Sequence, residues 1–167
     1  MTDLIVGMAD LRASASPDDR LVTYALGSCL GIAAYDPMAR VGGLLHVMLP
    51  SADLDEERAR INPALCVDTG VPELLRACRQ LGAAQRRLVV TVAGGAAAVA
   101  PGEPDQFRIG ERNLAELRTV LHQYGVLATT TDVGGHQLSR TMSLAVGDGT
   151  VTVRVAGTAR GDGRATA

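Results

Sequence analysis

Two apolar runs, Leu30 to Tyr35 and Val41 to Leu49, follow one another near the N-terminus with only the turn signal Asp36-Pro37 and a short step between them. Runs of this length suit strands, and a strand with one wet face would alternate apolar and polar residues. The lack of alternation predicts a sheet covered on both faces. Leu4 to Met8 and Leu21 to Leu26 read as further strands, parted by Ser16-Pro17-Asp18-Asp19. A chain that begins this way must bring in a layer for each face of its sheet.

The rest of the sequence supplies candidates for those layers. Ser51 to Arg60 is polar and reads as a surface loop or short helix. Val71 to Leu81 reads as a helix, with Pro72 at its first position, Leu74, Leu75, Cys78 and Leu81 on one face, and Gly82 as its stop. Arg87 to Ala93 reads as a strand, and Gly94-Gly95 opens an irregular connection reaching Gly110. A second helix is expected from Glu111 to Tyr124, burying Leu114, Leu117, Val120, Leu121 and Tyr124. Val126 to Val133 reads as a strand. Thr141 to Val146 and Thr150 to Val155 read as a hairpin across Gly147-Asp148-Gly149. One domain is expected over residues 1–157, and the tail 158–167, with nothing apolar larger than alanine, is expected to be without order.

Composition removes several function classes. A net charge of −2 gives no reason to expect nucleic acid or an anionic membrane as partner. No lysine occurs, so no side-chain amine can form a Schiff base. Aromatic residues make up only 2%, too few for a base-stacking platform. No segment has the length of a membrane span or the pattern of an export signal. The three cysteines, Cys29, Cys66 and Cys78, have neither disulfide nor zinc spacing, and a reducing cytoplasm is the expected compartment.

Cys29 stands in Leu26-Gly27-Ser28-Cys29-Leu30-Gly31, a small-residue break between two strands. Such a break can turn sharply and present a thiol beside free backbone N–H groups, although a buried cysteine is more often a small hydrophobe. A nucleophilic thiol needs a base. His46 sits inside Gly43 to Leu49, where an imidazole must find a partner or cost stability, and it can face the cysteine turn. His122 falls on the exposed side of the second helix, and His136 follows Gly134-Gly135 in a loop. Thr23, six residues before Cys29, can orient an imidazole through its hydroxyl or carbonyl, or simply satisfy a strand. The residues alone therefore leave a Cys-His hydrolase beside a structural reading.

The run Thr23 to Gly31, continuing through Tyr35-Asp36-Pro37 to Val41 to Pro50, resembles the CheD family, the chemoreceptor glutamine deamidases of bacterial chemotaxis. Gly94-Gly95-Ala96, Ile109-Gly110-Glu111-Arg112-Asn113, Asp132-Val133-Gly134-Gly135 and Arg140 agree in order. The resemblance implies an α+β fold, a three-layer α/β/β sandwich with mixed sheets related to deamidating toxin cysteine hydrolases. It implies a Cys29, His46 and Thr23 site that converts glutamines of methyl-accepting receptors to glutamates through a thioester, with no metal or organic cofactor. It also implies a CheC-type phosphatase as a second partner. A non-catalytic regulator binding that phosphatase or receptor helices is the alternative, and transglutamination by an amine is a third outcome of the same thioester. The chain departs from the family at Ala93, where an aromatic is common, in the proline-rich Ala97 to Gly110, and at Gln137 to Ser139. These departures bear on substrate choice and the phosphatase contact.

Overall fold

A computed structural model describes residues 1–157. In chain order these form β1 (Thr2–Ile5), β2 (Asp10–Ser14), β3 (Asp19–Leu26), β4 (Leu30–Asp36), β5 (Val41–Val47), α1 (Glu56–Ile61), α2 (Val67–Gln80), β6 (Val89–Gly94), α3 (Ile109–Gln123), β7 (Ala128–Val133), β8 (Leu138–Ala145) and β9 (Val151–Gly157). The unalternating runs are the antiparallel neighbours β4 and β5, and every residue of both is buried. They sit inside a five-stranded sheet ordered β2-β5-β4-β6-β7, and the other four strands make a sheet ordered β1-β3-β8-β9. Both sheets are mixed, since β1 runs parallel to β3 and β6 parallel to β7.

Period-two alternation assigns each face. Leu30, Ile32, Ala34, Leu45 and Val47 pack beneath α2 and α3, with Leu74, Leu75, Cys78, Leu117, Val120 and Leu121. Ala33, Tyr35 and Leu44 point the other way, onto Leu21, Leu26, Met142, Leu144 and Val146 of the second sheet. Helices, five-stranded sheet and four-stranded sheet are thus the three layers of the expected α/β/β sandwich. Gly43 lets the helix layer close, because a Cβ there would lie 2.7 Å from Leu74 and 2.8 Å from Cys78.

Several sequence expectations shift. Only the five-stranded sheet is covered on both faces; the outer face of the other carries partly or fully exposed Arg20, Tyr24, Thr141, Ser143, Thr152 and Arg154. The first strand ends at Ile5, and the chain then crosses to the other sheet as β2. That edge strand, Asp-Leu-Arg-Ala-Ser, escapes a sequence reading because only Ser14 in it is buried. Helix α2 begins at Val67, so Pro72 lies inside it. Burial of Val67, Gly70 and Val71 extends the helix past the proline, at the cost of the bond a residue-72 N–H would give Asp68. Tyr124 is exposed at the C-cap of α3. The tail 158–167 lies outside the described residues.

Asp36 ends β4 with a fully buried carboxylate. It accepts N–H bonds from Met38, Ala39 and Ala84 at 2.9, 3.2 and 2.8 Å and a guanidinium from Arg87 at 2.8 Å. The Arg87 bond holds this carboxyl well below the usual range, against the opposing pull of burial. The stabilisation is therefore complete above the unfolded carboxyl value and is lost as pH falls through and below it. Asp36→Asn is expected to lower Tm by several degrees at pH 7, with the gap to wild type closing toward pH 2 in thermal melts; a gap that stays constant with pH would contradict this account.

Candidate active site

The site begins with a bulge. From Thr23 to Leu26 β3 advances three residues while its partner β8 advances only from Met142 to Arg140. Ala25 takes the left-handed backbone conformation, φ 58°, that absorbs the extra residue. Without the bulge, alternation would turn Leu26 outward once Leu21 and Thr23 faced in. With it, all three face the five-stranded sheet and the chain is aimed into the Gly27–Cys29 turn, which enters β4 at Leu30.

Thr23 and His46 meet between the sheets, one from β3 and the other from β5. Both are fully buried, and Thr23 Oγ1 lies 2.8 Å from His46 Nδ1. The same hydroxyl donates to the Val6 carbonyl at 2.8 Å. A hydroxyl has one proton, and a carbonyl can only accept. Thr23 must therefore accept from Nδ1–H, which leaves the lone pair on Nε2. That Nε2 is buried without a hydrogen-bond partner. Burial lowers the imidazole's proton affinity, so it stays neutral and basic near pH 7.

Cys29 follows from the strand register. His46 pairs directly across from Gly31, two residues beyond Cys29, and Cys29 packs against the intersheet cluster on the side where His46 meets Thr23. A Cβ at Gly31 would strike Leu26 at 2.7 Å and Met142 at 2.9 Å, so only glycine leaves this strand position clear. Cys29 itself is partly buried against the intersheet core. Burial pushes its thiol up from the ordinary value, while its own backbone N–H pulls the other way. The N–H groups of Ser28 and Cys29 donate to no backbone carbonyl among the described residues. The resting site is thus a neutral thiol, a neutral imidazole and two amide donors, which suits attack on a carbonyl whose oxygen becomes negative.

The motifs later in the chain brace this turn. Gly95 N–H donates to the Cys29 carbonyl and Ala96 N–H to that of Gly27, each at 2.9 Å. A Cβ on Gly94 would lie 2.1 Å from the Cys29 oxygen, and Gly94 has φ 113°, so no other residue fits. Gly134 N–H holds the Gly94 carbonyl at 2.9 Å, and buried Arg140 holds the Gly134 carbonyl and Asp132. Asn113 of α3 gives its amide to Ser28 and Met48 carbonyls, a contact that sequence patterning did not reveal because its partners lie 85 and 65 residues away.

The other candidates stand apart. His122 is exposed on α3, and exposed His136 lies 3.2 Å from the Val99 carbonyl through Nδ1. Cys66 and Cys78 are buried, with thiols pushed up to about 11 and about 12. No group of three His, Cys, Asp or Glu able to hold a metal occurs among the described residues. Four surface clefts of 150 to 400 Å³ are lined by other residues, and Cys29 is partly exposed outside them.

A family model described as CheD chemotactic sensory transduction matches residues 48–155. Curated relatives reach further. A protein of Syntrophus aciditrophicus named probable chemoreceptor glutamine deamidase CheD 1 is 43% identical over 157 residues, 94% of this chain and 96% of its own. Proteins named probable chemoreceptor glutamine deamidase CheD from Solibacter usitatus and Desulforamulus reducens are 45% and 38% identical over 89% and 93% of this chain, and 86% and 92% of their own. A solved Neisseria meningitidis protein of the family DUF152 has a TM-score of 0.43 and 10% identity over 78% of this chain and 62% of its own, too loose a likeness to transfer any residue. No helix among the described residues is long and apolar enough to cross a membrane.

The neutral pair makes a testable statement about pH. In the substrate-free protein, alkylation of Cys29 by iodoacetamide is expected to keep rising past about pH 9, ahead of the buried Cys66 and Cys78. A reactivity plateau reached below neutrality, followed by peptide mapping to Cys29, would mean a preformed thiolate and imidazolium instead.

Proposed function

The chain belongs to the CheD family, and on that footing we propose that it deamidates glutamine side chains of chemoreceptors, with Cys29 as nucleophile, His46 as proton carrier and Thr23 as the group that orients His46. The observation that carries the reading is the buried, unpartnered Nε2 of His46, its tautomer set by Thr23 and Val6. A buried polar atom left unpaired is costly, and here a partner arrives with the reaction.

The Cys29 thiol gives its proton to His46 Nε2 as sulfur bonds to the carboxamide carbon. The carbonyl oxygen takes the electron pair and is held by the Ser28 and Cys29 N–H groups. As the tetrahedral species collapses, the C–N bond breaks and Nε2–H protonates the nitrogen, which leaves as ammonia. Water then loses a proton to Nε2 and attacks the thioester; the C–S bond breaks, the sulfur regains its proton, and glutamate remains. Each passage through His46 keeps Nδ1–H on Thr23. Water and the side chain of a receptor helix are the only other reactants.

An open thiol turn suits a glutamine presented on a helix better than a free metabolite. Contacts remote from the carboxamide then place it against the sulfur, and free glutamine forfeits them. The reaction belongs in the cytoplasm, where the thiol stays reduced. A CheC-type phosphatase seated over the same turn would compete with receptor helices and inhibit.

Intact-mass analysis of a receptor helical hairpin after incubation is expected to show gains of about 1 Da per event, from NH₂ replaced by OH, with ammonia released in equal amount. Cys29→Ala is expected to abolish this while folding normally. His46→Ala should cost about 100-fold or more in kcat. Thr23→Val, isosteric but without the hydroxyl, should cost about tenfold or more. An active, folded Cys29→Ala protein ends the assignment, and equal kcat/KM for free glutamine and the hairpin replaces it with a small-molecule amidase.

A further inference from the structure

Thiol and imidazole reach the site on different strands, and something must fix the end of one against the end of the other. Cys29 lies in the turn before β4, and His46 lies one residue before the last of β5. Backbone pairing of the two strands runs from Asp36↔Val41 to Leu30↔Val47 and stops there. Cys29 is thus outside the ladder.

Asn113 spans that gap. It is fully buried in the second turn of α3, and its Nδ2 donates to the Ser28 carbonyl at 3.0 Å and to the Met48 carbonyl at 3.2 Å. Ser28 immediately precedes the thiol, and Met48 follows His46 by two residues. An amide nitrogen carries two protons, so a single atom ties both backbones. The arrangement also fixes the amide's orientation, because an oxygen at that position would face two acceptors. The Oδ1 of Asn113 is buried with no partner among the described residues. An apolar side chain would avoid that unpaired oxygen, so packing alone does not account for the amide.

We propose that Asn113 is a positioning residue that sets the separation of Cys29 from His46 by holding Ser28 and Met48 on one nitrogen. The helix is seated by a second close contact. Gly110, one turn earlier, presses its Cα against Gly95 and Ala96, whose carbonyl oxygens would stand 2.5 and 2.6 Å from any Cβ there. Gly95 and Ala96 are the residues whose N–H groups hold Cys29 and Gly27. Helix α3 therefore reaches the thiol turn by two routes, and Asn113 also donates to the Met48 carbonyl just past the histidine strand.

The turnover arm of the test rests on the deamidase reading, and the acylation arm does not. Asn113→Asp keeps the shape but turns both donations into oxygen-to-oxygen contacts; Asn113→Ala removes them without charge. For either variant that melts cooperatively, kcat on a receptor helical hairpin is expected to fall about 100-fold with KM within about twofold. Asp36→Asn serves as a variant destabilised far from the site, with kcat unchanged below its melting temperature. The second arm is a double-mutant cycle on the neutral-pH rate at which p-nitrophenyl acetate acylates Cys29, an attack on a carbonyl that draws on the same proton transfer to His46. His46→Ala should slow the reaction in the wild-type background and have no further effect in the Asn113→Ala background. An undiminished His46 effect in that background overturns the proposal, as does a kcat loss no larger than the loss of folded protein. If wild type releases no ammonia, the deamidase reading fails while the cycle still decides what Asn113 does.

Discussion

The Thr23 hydroxyl has one proton to give, and it sits between two sheets. By giving that proton to Val6 it must take one from His46, so a strand of the four-stranded sheet fixes the tautomer of a histidine in the five-stranded one. Within the space between the sheets such a bond has no competition from water, and neither partner can be removed without stranding the other. The basic nitrogen of the site is therefore a consequence of how the layers stack. The crossing of the chain from β1 to β2 supplies the Val6 carbonyl, and the bulge at Ala25 supplies the inward Thr23.

The thiol is held by different means. Backbone N–H groups of Gly95 and Ala96, just past β6, hold the Gly27–Cys29 turn, and Gly94 and Gly95 carry no side chain because a Cβ would occupy the Cys29 carbonyl or the side chain of Leu114. Support continues outward through Gly134 to Arg140 and Asp132. The segments that resemble the CheD family late in the chain are thus a scaffold around a turn encoded early in it. A turn clamped by peptide groups on its inner side leaves the amides of Ser28 and Cys29 unspent, which is where an oxyanion needs them.

Electrostatics in the resting site are quiet. Burial raises the thiol and lowers the imidazole, so the pair does not exchange a proton before substrate arrives. A neutral thiol on an open surface is protected from adventitious oxidation and alkylation, since the thiolate is the reactive form. In the proposed reaction, proton transfer accompanies attack on a carboxamide held by the amide donors of the turn.

Much of this was legible from the residues. Unalternating runs at 30–35 and 41–49 dictated a doubly covered sheet, because only burial on both faces tolerates them. The small-residue break around Cys29, and an imidazole inside an apolar run, marked the two candidate groups through the cost of placing them there. Local sequence did not mark β2, whose wet edge removes its pattern, nor the true start of α2, where burial of Val67, Gly70 and Val71 outweighed the preference of Pro72 for a first turn. Nor could it show which atom of Thr23 meets His46, or that Asn113 joins Ser28 to Met48, because a hydrogen bond between residues tens of positions apart has no local periodicity. Sequence determined which groups could react and the layers that would enclose them; only the stacking of the sheets and the docking of α3 decided which atoms face one another, since that depends on register, a one-residue bulge and the reach of single side chains across the gap.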